Sequence, residues 1–363
     1  MPVEPRTRPA WSQRMSLTTP STWDPRRTWA FVVGTLEWAH PESFSSFPKL
    51  NRRDAALVDL LRERGVPASQ IVYLQDERAT TERIQSWLES HLAAAGEGDL
   101  LLLYYCGHGA KTEEGAVYFA SYGADEVEDP GWTVAGIPET IERHFRGSRA
   151  LLLADCCHSG SLAEAVRRRP RRVAYACLAS SLASELSTGN WTFTESLLAG
   201  LAGQAWVDDD GDARITLEEL AGQIEETLAA AEGQLSTFAV HGAFDPRLVL
   251  APARQRPDRR VGRSVEARSE GDWYPAKVID AQDGQLLVHY HGYEADDDEW
   301  LAPGDIRDPT REAYARGAAV EVLWKGRWFP ATVLAERLGV HHIRYDGFGG
   351  EWDEWVAKER IRG

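Results

Sequence analysis

The chain has 363 residues and carries 56 Asp and Glu against 40 Lys and Arg, a formal net charge of −16. That balance argues against general nucleic-acid binding, which needs cations to neutralise phosphates, and favours basic peptides as partners. Four cysteines, two of them adjacent, do not make a disulfide framework, and no apolar run is long enough to span a membrane, so the cytoplasm is the expected location.

Residues 1–27, rich in Pro, Arg, Ser and Thr and lacking an apolar signal-peptide core, are expected to form a flexible arm. Trp29 to Trp38 reads as a first strand, and Asn51 to Arg64 has apolar residues at helical spacing before Gly65. Gln70 to Leu74 is a second strand, Thr80 to Ala95 a second helix, Asp99 to Tyr105 a third strand, and Ala116 to Tyr122 a short hairpin strand. Further on, Ile137 to Phe145 reads as a helix, Ala150 to Ala154 and Val173 to Leu178 as strands, and Phe193 to Leu201 and Leu217 to Ala231 as helices. This alternation predicts a mostly parallel sheet in a three-layer α/β/α domain over residues 28–250, with right-handed crossovers.

Two of these strands end in reactive side chains. Leu101-Leu102-Leu103 leads into Tyr104-Tyr105-Cys106-Gly107-His108-Gly109, and Leu151-Leu152-Leu153 leads into Asp155-Cys156-Cys157-His158-Ser159-Gly160. Short apolar runs of this kind form interior parallel strands, and substrates bind beyond the carboxyl ends of such strands. A thiol attacks a peptide carbonyl only as a thiolate or with a base at hand, and an imidazole from a neighbouring strand supplies the base and then the proton for the leaving amine. His108 and Cys157 lie 49 residues apart, close to the ~50-residue spacing of a caspase histidine and cysteine.

With the words Cys-Gly-His-Gly and Asp-Cys-Cys-His-Ser-Gly, the chain resembles the caspase-like cysteine peptidases over about residues 28 to 250, and within them the metacaspase-type and bacterial caspase-like branch. The resemblance implies a caspase-like fold. It aligns Cys157, the cysteine followed by His-Ser-Gly, with the nucleophile. Cys156 is the rival, and strand alternation turns it to the other face. The implied oxyanion donors are the backbone N–H groups of Gly109 and Cys157. Cys106 and Cys177 read as packing residues, with Cys106 bordering the substrate pocket.

A pocket for Arg or Lys needs carboxylates. Asp155 lies two residues before Cys157 and so shares its face, and Asp54 matches the position at which metacaspase-type enzymes carry a second pocket acid. Plainer roles are open to both, Asp54 as a charge at a helix start and Asp155 as a turn residue. Cleavage after Arg or Lys is expected, whereas caspases proper use an arginine-lined pocket for Asp. Arg167-Arg168-Arg169-Pro170-Arg171-Arg172 is expected in an exposed loop, either as an autoprocessing site or as a solvated basic segment.

No cofactor is needed for this chemistry. Residues 208–219 nevertheless align with a calcium loop of the EF-hand kind, with Asp208, Asp210, Asp212 and Glu219 as carboxylate ligands and Arg214 as a carbonyl ligand. Ala213 departs from the glycine usual at the sixth place, and an Asp-rich turn capping a helix is the alternative. Metacaspase-type enzymes often respond to calcium through a second acidic group near the active site, and the resemblance makes Asp125, Glu126, Glu128 and Asp129 the candidates for it here, without a ligand spacing of their own.

After an expected linker at 251–257 the sequence repeats at an offset of 55: Trp273-Tyr274-Pro275-Ala276 returns as Trp328-Phe329-Pro330-Ala331, and Glu299-Trp300 as Glu354-Trp355. Short alternating strands separated by Gly and Asp turns predict two small antiparallel barrels, at 258–309 and 313–363. Their words resemble agenet and Tudor-type modules, which implies a protein partner bound as a peptide, through aromatic rings suited to methylated Lys or Arg. Trp273, Tyr274, Tyr290, Tyr293, Trp300, Trp328, Phe329, Tyr345, Phe348 and Trp355 are the candidate ring residues, and the barrel cores compete for the same aromatics. The whole reads as a cysteine endopeptidase whose barrels recruit a substrate or regulator; the alternative is a non-catalytic scaffold that binds through its tail.

Overall fold

The computed structural model describes residues 21–125, 129, 131–168, 171–185, 187, 189–255, 258–309 and 313–363. Its main sheet is built from β1 (Thr28–Gly34), β2 (Ile71–Gln75), β3 (Leu100–Cys106), β7 (Arg149–Asp155), β8 (Ala174–Ala179) and β10 (Thr237–His241), in the order β10-β8-β7-β3-β1-β2. All neighbours are parallel except β10, which runs antiparallel to β8. Helices α1 (Arg53–Glu63), α2 (Thr81–Ala94), α3 (Gly136–His144), α4 (Ser161–Arg167), α5 (Thr192–Leu201) and α6 (Leu217–Glu232) cover both faces. The three-layer α/β/α arrangement is therefore the one the alternating pattern predicts.

β3 shows why. All seven of its residues are buried, and alternation sends them into two cores. Leu102, Tyr104 and Cys106 pack with Leu57 and Leu61 of α1, Phe193 of α5 and Ile224 of α6. Leu101, Leu103 and Tyr105 pack with Ile84 and Leu88 of α2 and Ile137 and Ile141 of α3. Each such leucine contributes roughly 1.5–3 kcal/mol of burial. Small strands β4 (Gly109–Lys111), β5 (Val117–Phe119) and β6 (Trp132–Thr133) form a separate antiparallel sheet beyond β3, and β9 (Arg214–Thr216) pairs with β11 (Val249–Pro252).

Four expectations need correction. β1 stops at Gly34 instead of continuing to Trp38: Thr35 still gives its N–H to the Cys106 carbonyl of β3, but the Leu36 N–H is taken by the Asp76 carboxylate at 2.9 Å. The arm is not free throughout: residues 1–20 lie outside the described residues, but Trp23 is buried and its Nε1–H donates to Thr28 Oγ1 at 2.7 Å. The linker expected from 251 starts inside β11, where Ala251 is buried; residues 256–257 are outside the described set. The arginine run is an open segment only in part: Arg167, at the end of α4, Arg168 and Arg172 are exposed, and Arg171 is not. The Arg171 side chain is 3% exposed and pairs with Glu139, and Arg172 donates to the Phe145 and Gly147 carbonyls; positions 169 and 170 lie outside the described residues.

The tail forms two five-stranded antiparallel half-barrels. The first is β12 (Ser264–Ser269), β13 (Asp272–Gln282), β14 (Gln285–Tyr290), β15 (Glu299–Leu301) and β16 (Ile306–Arg307). The second, β17 (Ala319–Trp324), β18 (Arg327–Arg337), β19 (Val340–Tyr345), β20 (Glu354–Val356) and β21 (Ile361–Arg362), repeats it strand for strand. Both dock on the α/β domain. Lys277 of the first is buried and donates to Thr227 of α6 at 2.7 Å, and Gly262 lies so close to Trp206 that no Cβ fits. Val340 of the second packs with Ala229 and Leu235, and Arg337 pairs with Glu225.

Candidate active site

Cys106 and Asp155 are register partners at the ends of β3 and β7, and the chain places His108 and Cys157 two residues beyond each. Both line one cavity of about 390 Å³ at the carboxyl edge of the sheet, together with Cys106, Asp155 and Cys156. The approach between the two strand ends is close: a Cβ on Gly109 would sit 2.0 Å from the Cys157 carbonyl oxygen, so glycine is required there. His158 follows in the left-handed region at φ 57°, with its N–H bonded to the Glu185 carbonyl.

The imidazole of His108 is held by groups that the motif did not disclose. Its ring lies 4.5 Å from that of Phe47, 4.6 Å from Trp38 and 5.5 Å from Phe44. Nε2 is 2.8 Å from the Ser45 carbonyl. A carbonyl only accepts, so Nε2 carries the hydrogen and Nδ1 keeps its lone pair. Burial lowers the pKa of His108, with the Ser45 carbonyl opposing, so the ring is neutral at pH 7. Cys157 Sγ accepts from the Ser187 N–H at 3.2 Å. Burial nevertheless pushes its thiol up, leaving it protonated. Cys156 is buried in the core on the α2–α3 side, and its thiol is raised far above the ordinary range by burial.

The two pocket acids fare differently. Asp155 lines the cavity and accepts from Thr194 Oγ1 at 2.6 Å; burial pushes its carboxyl up to about 6, with the Thr194 and Ser180 hydroxyls opposing. Asp54 does not line the cavity: it is fully buried, paired with Arg52 at 2.8 Å and bonded to Tyr73 Oη at 2.7 Å, while Arg52 also reaches Asp76 at 2.6 Å. Arg52, two residues away in sequence, has already answered its charge. In its place the cavity gains Glu195 of α5 and Glu294 of the first barrel, neither of which the sequence singled out.

In the acidic loop, Asp208, Asp210 and Asp212 bring carboxylate oxygens within 4.8 Å of one another. Ala213 takes the left-handed conformation, φ 67°, that a glycine would normally occupy. Glu219 is the departure from a calcium loop: it accepts from the Asp209 N–H at 3.1 Å and closes a capping box with Thr216 at the start of α6. Arg214 supplies its N–H to Asp212 and opens β9. Of the second acidic group, Glu126 and Glu128 lie outside the described residues.

The candidate ring residues divide. Trp273 and Trp328 are covered by arginines of their own repeats, Arg307 at 4.1 Å and Arg362 at 4.0 Å. Trp355 stacks on His342 and packs at the docking contact with α6. Trp300 is 40% exposed on β15. Tyr274, Tyr290 and Tyr293 are mutually near-perpendicular, 6.2–6.3 Å apart. In the second repeat Phe329, Tyr345 and Phe348 occupy the equivalent places, and Trp352 and Trp324 complete a closed circuit of five rings 5.9–6.3 Å apart. These two tryptophans escaped the repeat comparison because the first copy has Asp297 and Ser269 at their positions.

A parallel sheet with a histidine and a cysteine at adjacent strand ends defines a caspase-type α/β domain. The chain belongs to the caspase-domain family, whose model matches residues 46–243, and models of the Agenet domain match 262–312 and 317–363. Among solved structures, protein GSU0716 from Geobacter sulfurreducens is similar at 18% identity, covering 63% of this chain and 97% of that one with a TM-score of 0.46. Caspase-1 from Spodoptera frugiperda is similar at 14% identity over 67% and 97%, with a TM-score of 0.42. No curated protein matches the chain. A caspase domain supports a function of the cysteine-peptidase type in general terms, and no helix among the described residues is long and apolar enough to cross a membrane.

Proposed function

We propose that this protein is a cysteine endopeptidase of the metacaspase type that cleaves after Arg or Lys, with Cys157 as nucleophile and His108 as base and acid. The observation that carries the reading is one cavity lined by both residues, whose other charged lining side chains are Asp155, Glu195 and Glu294, all acids. His108 Nδ1 takes the Sγ proton as the thiolate attacks the scissile carbonyl carbon. The imidazolium that forms is oriented by the Ser45 carbonyl, and it returns the proton to the leaving amine. The N–H groups of Gly109 and Cys157 receive the oxyanion, and water then hydrolyses the acyl-enzyme. Asp155 holds the basic side chain before the scissile bond; Asp54 supports the fold beneath it. Fluorogenic peptides ending in Arg, Lys or Asp test this directly. Arg or Lys cleavage by wild type, lost in Cys157→Ala and kept in Cys156→Ala, is the expected result; Asp cleavage overturns the pocket, and silence from wild type leaves the barrels as the working part.

The second repeat serves as the peptide-binding module, its five-ring circuit presenting Phe348 and Trp352, which are 50% and 49% exposed, to a cationic side chain, while Trp324 already carries Lys325 at 4.7 Å. Trp352→Ala should weaken capture of a methyl-lysine peptide about tenfold by fluorescence anisotropy. A hard cation at Asp208, Asp210 and Asp212 belongs to the same reading: their carboxylate oxygens converge within 4.8 Å, each carboxylate also accepting a backbone N–H of the loop.

A further inference from the structure

One wall of the catalytic cavity is not made by the caspase domain. Gly292, Tyr293 and Glu294, the turn after β14 of the first barrel, line the same cavity as His108 and Cys157. The turn is formed by Gly292 at φ 86°, and a Cβ there would lie 3.8 Å from Asn190 Oδ1 of the caspase domain. Its mounting is firm. Arg53, the first residue of α1, bridges Glu195 at 2.9 Å and Glu294 at 3.2 Å, while His289 lies between Glu195 and Asp298. The buried Lys277–Thr227 bond anchors the barrel behind it.

The two side chains on this turn are not consumed by that mounting. Tyr293 is 49% exposed, and the Glu294 side chain is 48% exposed; it accepts from Arg53 and from the Asp297 N–H, and the two lone pairs per carboxylate oxygen leave it room for one further donor. An aromatic ring beside a half-exposed carboxylate suits the stem and head of a long basic side chain. Asp155, buried deeper, is committed to the residue before the scissile bond, so the turn addresses a different residue of the same peptide.

We propose that the 292–294 turn of the first barrel is a specificity element of the peptidase, with Tyr293 and Glu294 receiving a second basic side chain of the substrate. The inference rests on the peptidase reading above and narrows it to peptides with two basic residues close together.

The test uses the full chain and peptides ending in Arg, in which Lys or norleucine is placed at each of three preceding positions. At one position Lys should raise kcat/KM about fivefold over norleucine, the range of a partly exposed ion pair. Glu294→Gln and Tyr293→Ala should bring that ratio to about one, and Glu294→Asp should retain most of it. A ratio unchanged in Glu294→Gln and Tyr293→Ala, or absent in wild type, overturns the inference while cleavage itself upholds the peptidase. The same peptides are titrated by anisotropy into Cys157→Ala. If wild type cleaves nothing but a Glu294-dependent preference for Lys appears in binding, the site stands and the peptidase reading falls; if neither appears, both fall.

Discussion

Cys106 and Asp155 face each other across β3 and β7, and this single register fixes where His108 and Cys157 emerge. Because burial raises the thiol and lowers the imidazole, the pair rests in its neutral form. Iodoacetamide labelling of Cys157 should therefore climb only at pH above the range in which an ordinary free thiol reacts, with no shoulder at low pH. Peptide mass spectrometry of the labelled chain at successive pH values reads this out; a plateau near pH 5 would instead indicate a resting thiolate–imidazolium pair.

Asp54 and Asp155 should separate cleanly on mutation. Asp155→Asn should raise KM for Arg and Lys peptides about tenfold or more, since it leaves the basic side chain without a buried partner. Asp54→Asn removes one of the two carboxylates on Arg52, whose side chain is 8% exposed and keeps Asp76 at 2.6 Å, and should cost about 1–3 kcal/mol of stability in urea unfolding with KM changed little in the surviving folded fraction.

His289 makes the first barrel's docking depend on pH. Its hydrogen bond to Glu195, helped by Asp298 and opposed by burial, raises its pKa above 6.5. A pKa raised by folding adds stability that is complete below the unfolded value near 6.5 and is lost as pH climbs through the folded value. The Tm difference between wild type and His289→Gln should be positive at pH 6 and shrink towards zero in more alkaline buffer. A difference that grows with pH would reverse the assignment.

At the acidic loop, Ala213 in the left-handed region costs roughly 1 kcal/mol relative to glycine. Ala213→Gly should raise Tm by a few degrees and tighten calcium binding, measured by calorimetry. No heat from either protein, with Tm unmoved by calcium or chelator, would make the loop a helix cap alone.

Much of this was legible because backbone chemistry writes itself into sequence locally. Leu101 to Leu103 and Leu151 to Leu153, short apolar runs bounded by Gly and polar residues, read as interior strands and are so in the structure, and the reactive residues follow them directly. The 55-residue offset survives in every barrel strand, from Ser264 paired with Ala319 to Ile306 paired with Ile361. Charge pairing was less accessible. Asp54 looked free because its answering cation, Arg52, is itself shared with Asp76, a residue 24 positions on whose approach depends on β2 lying beside β1. Glu195 and Glu294 stand 99 residues apart in sequence and meet only through docking of the barrel, and Phe47 and Trp38 reach His108 from a loop with no periodic signature.

The substitutions that distinguish the two barrels imply a division of labour between duplicates. Where one copy keeps Trp324 and Trp352, the other has Ser269 and Asp297, and the poorer copy is the one built into the cleft. The two copies therefore differ in surroundings as well as in sequence: the first, which lacks these rings, sets its turn in the cavity lined by His108 and Cys157, and the second leaves Phe348 and Trp352 facing outward. Exchanging the barrels would therefore not be neutral, since each is now specialised for the place it occupies.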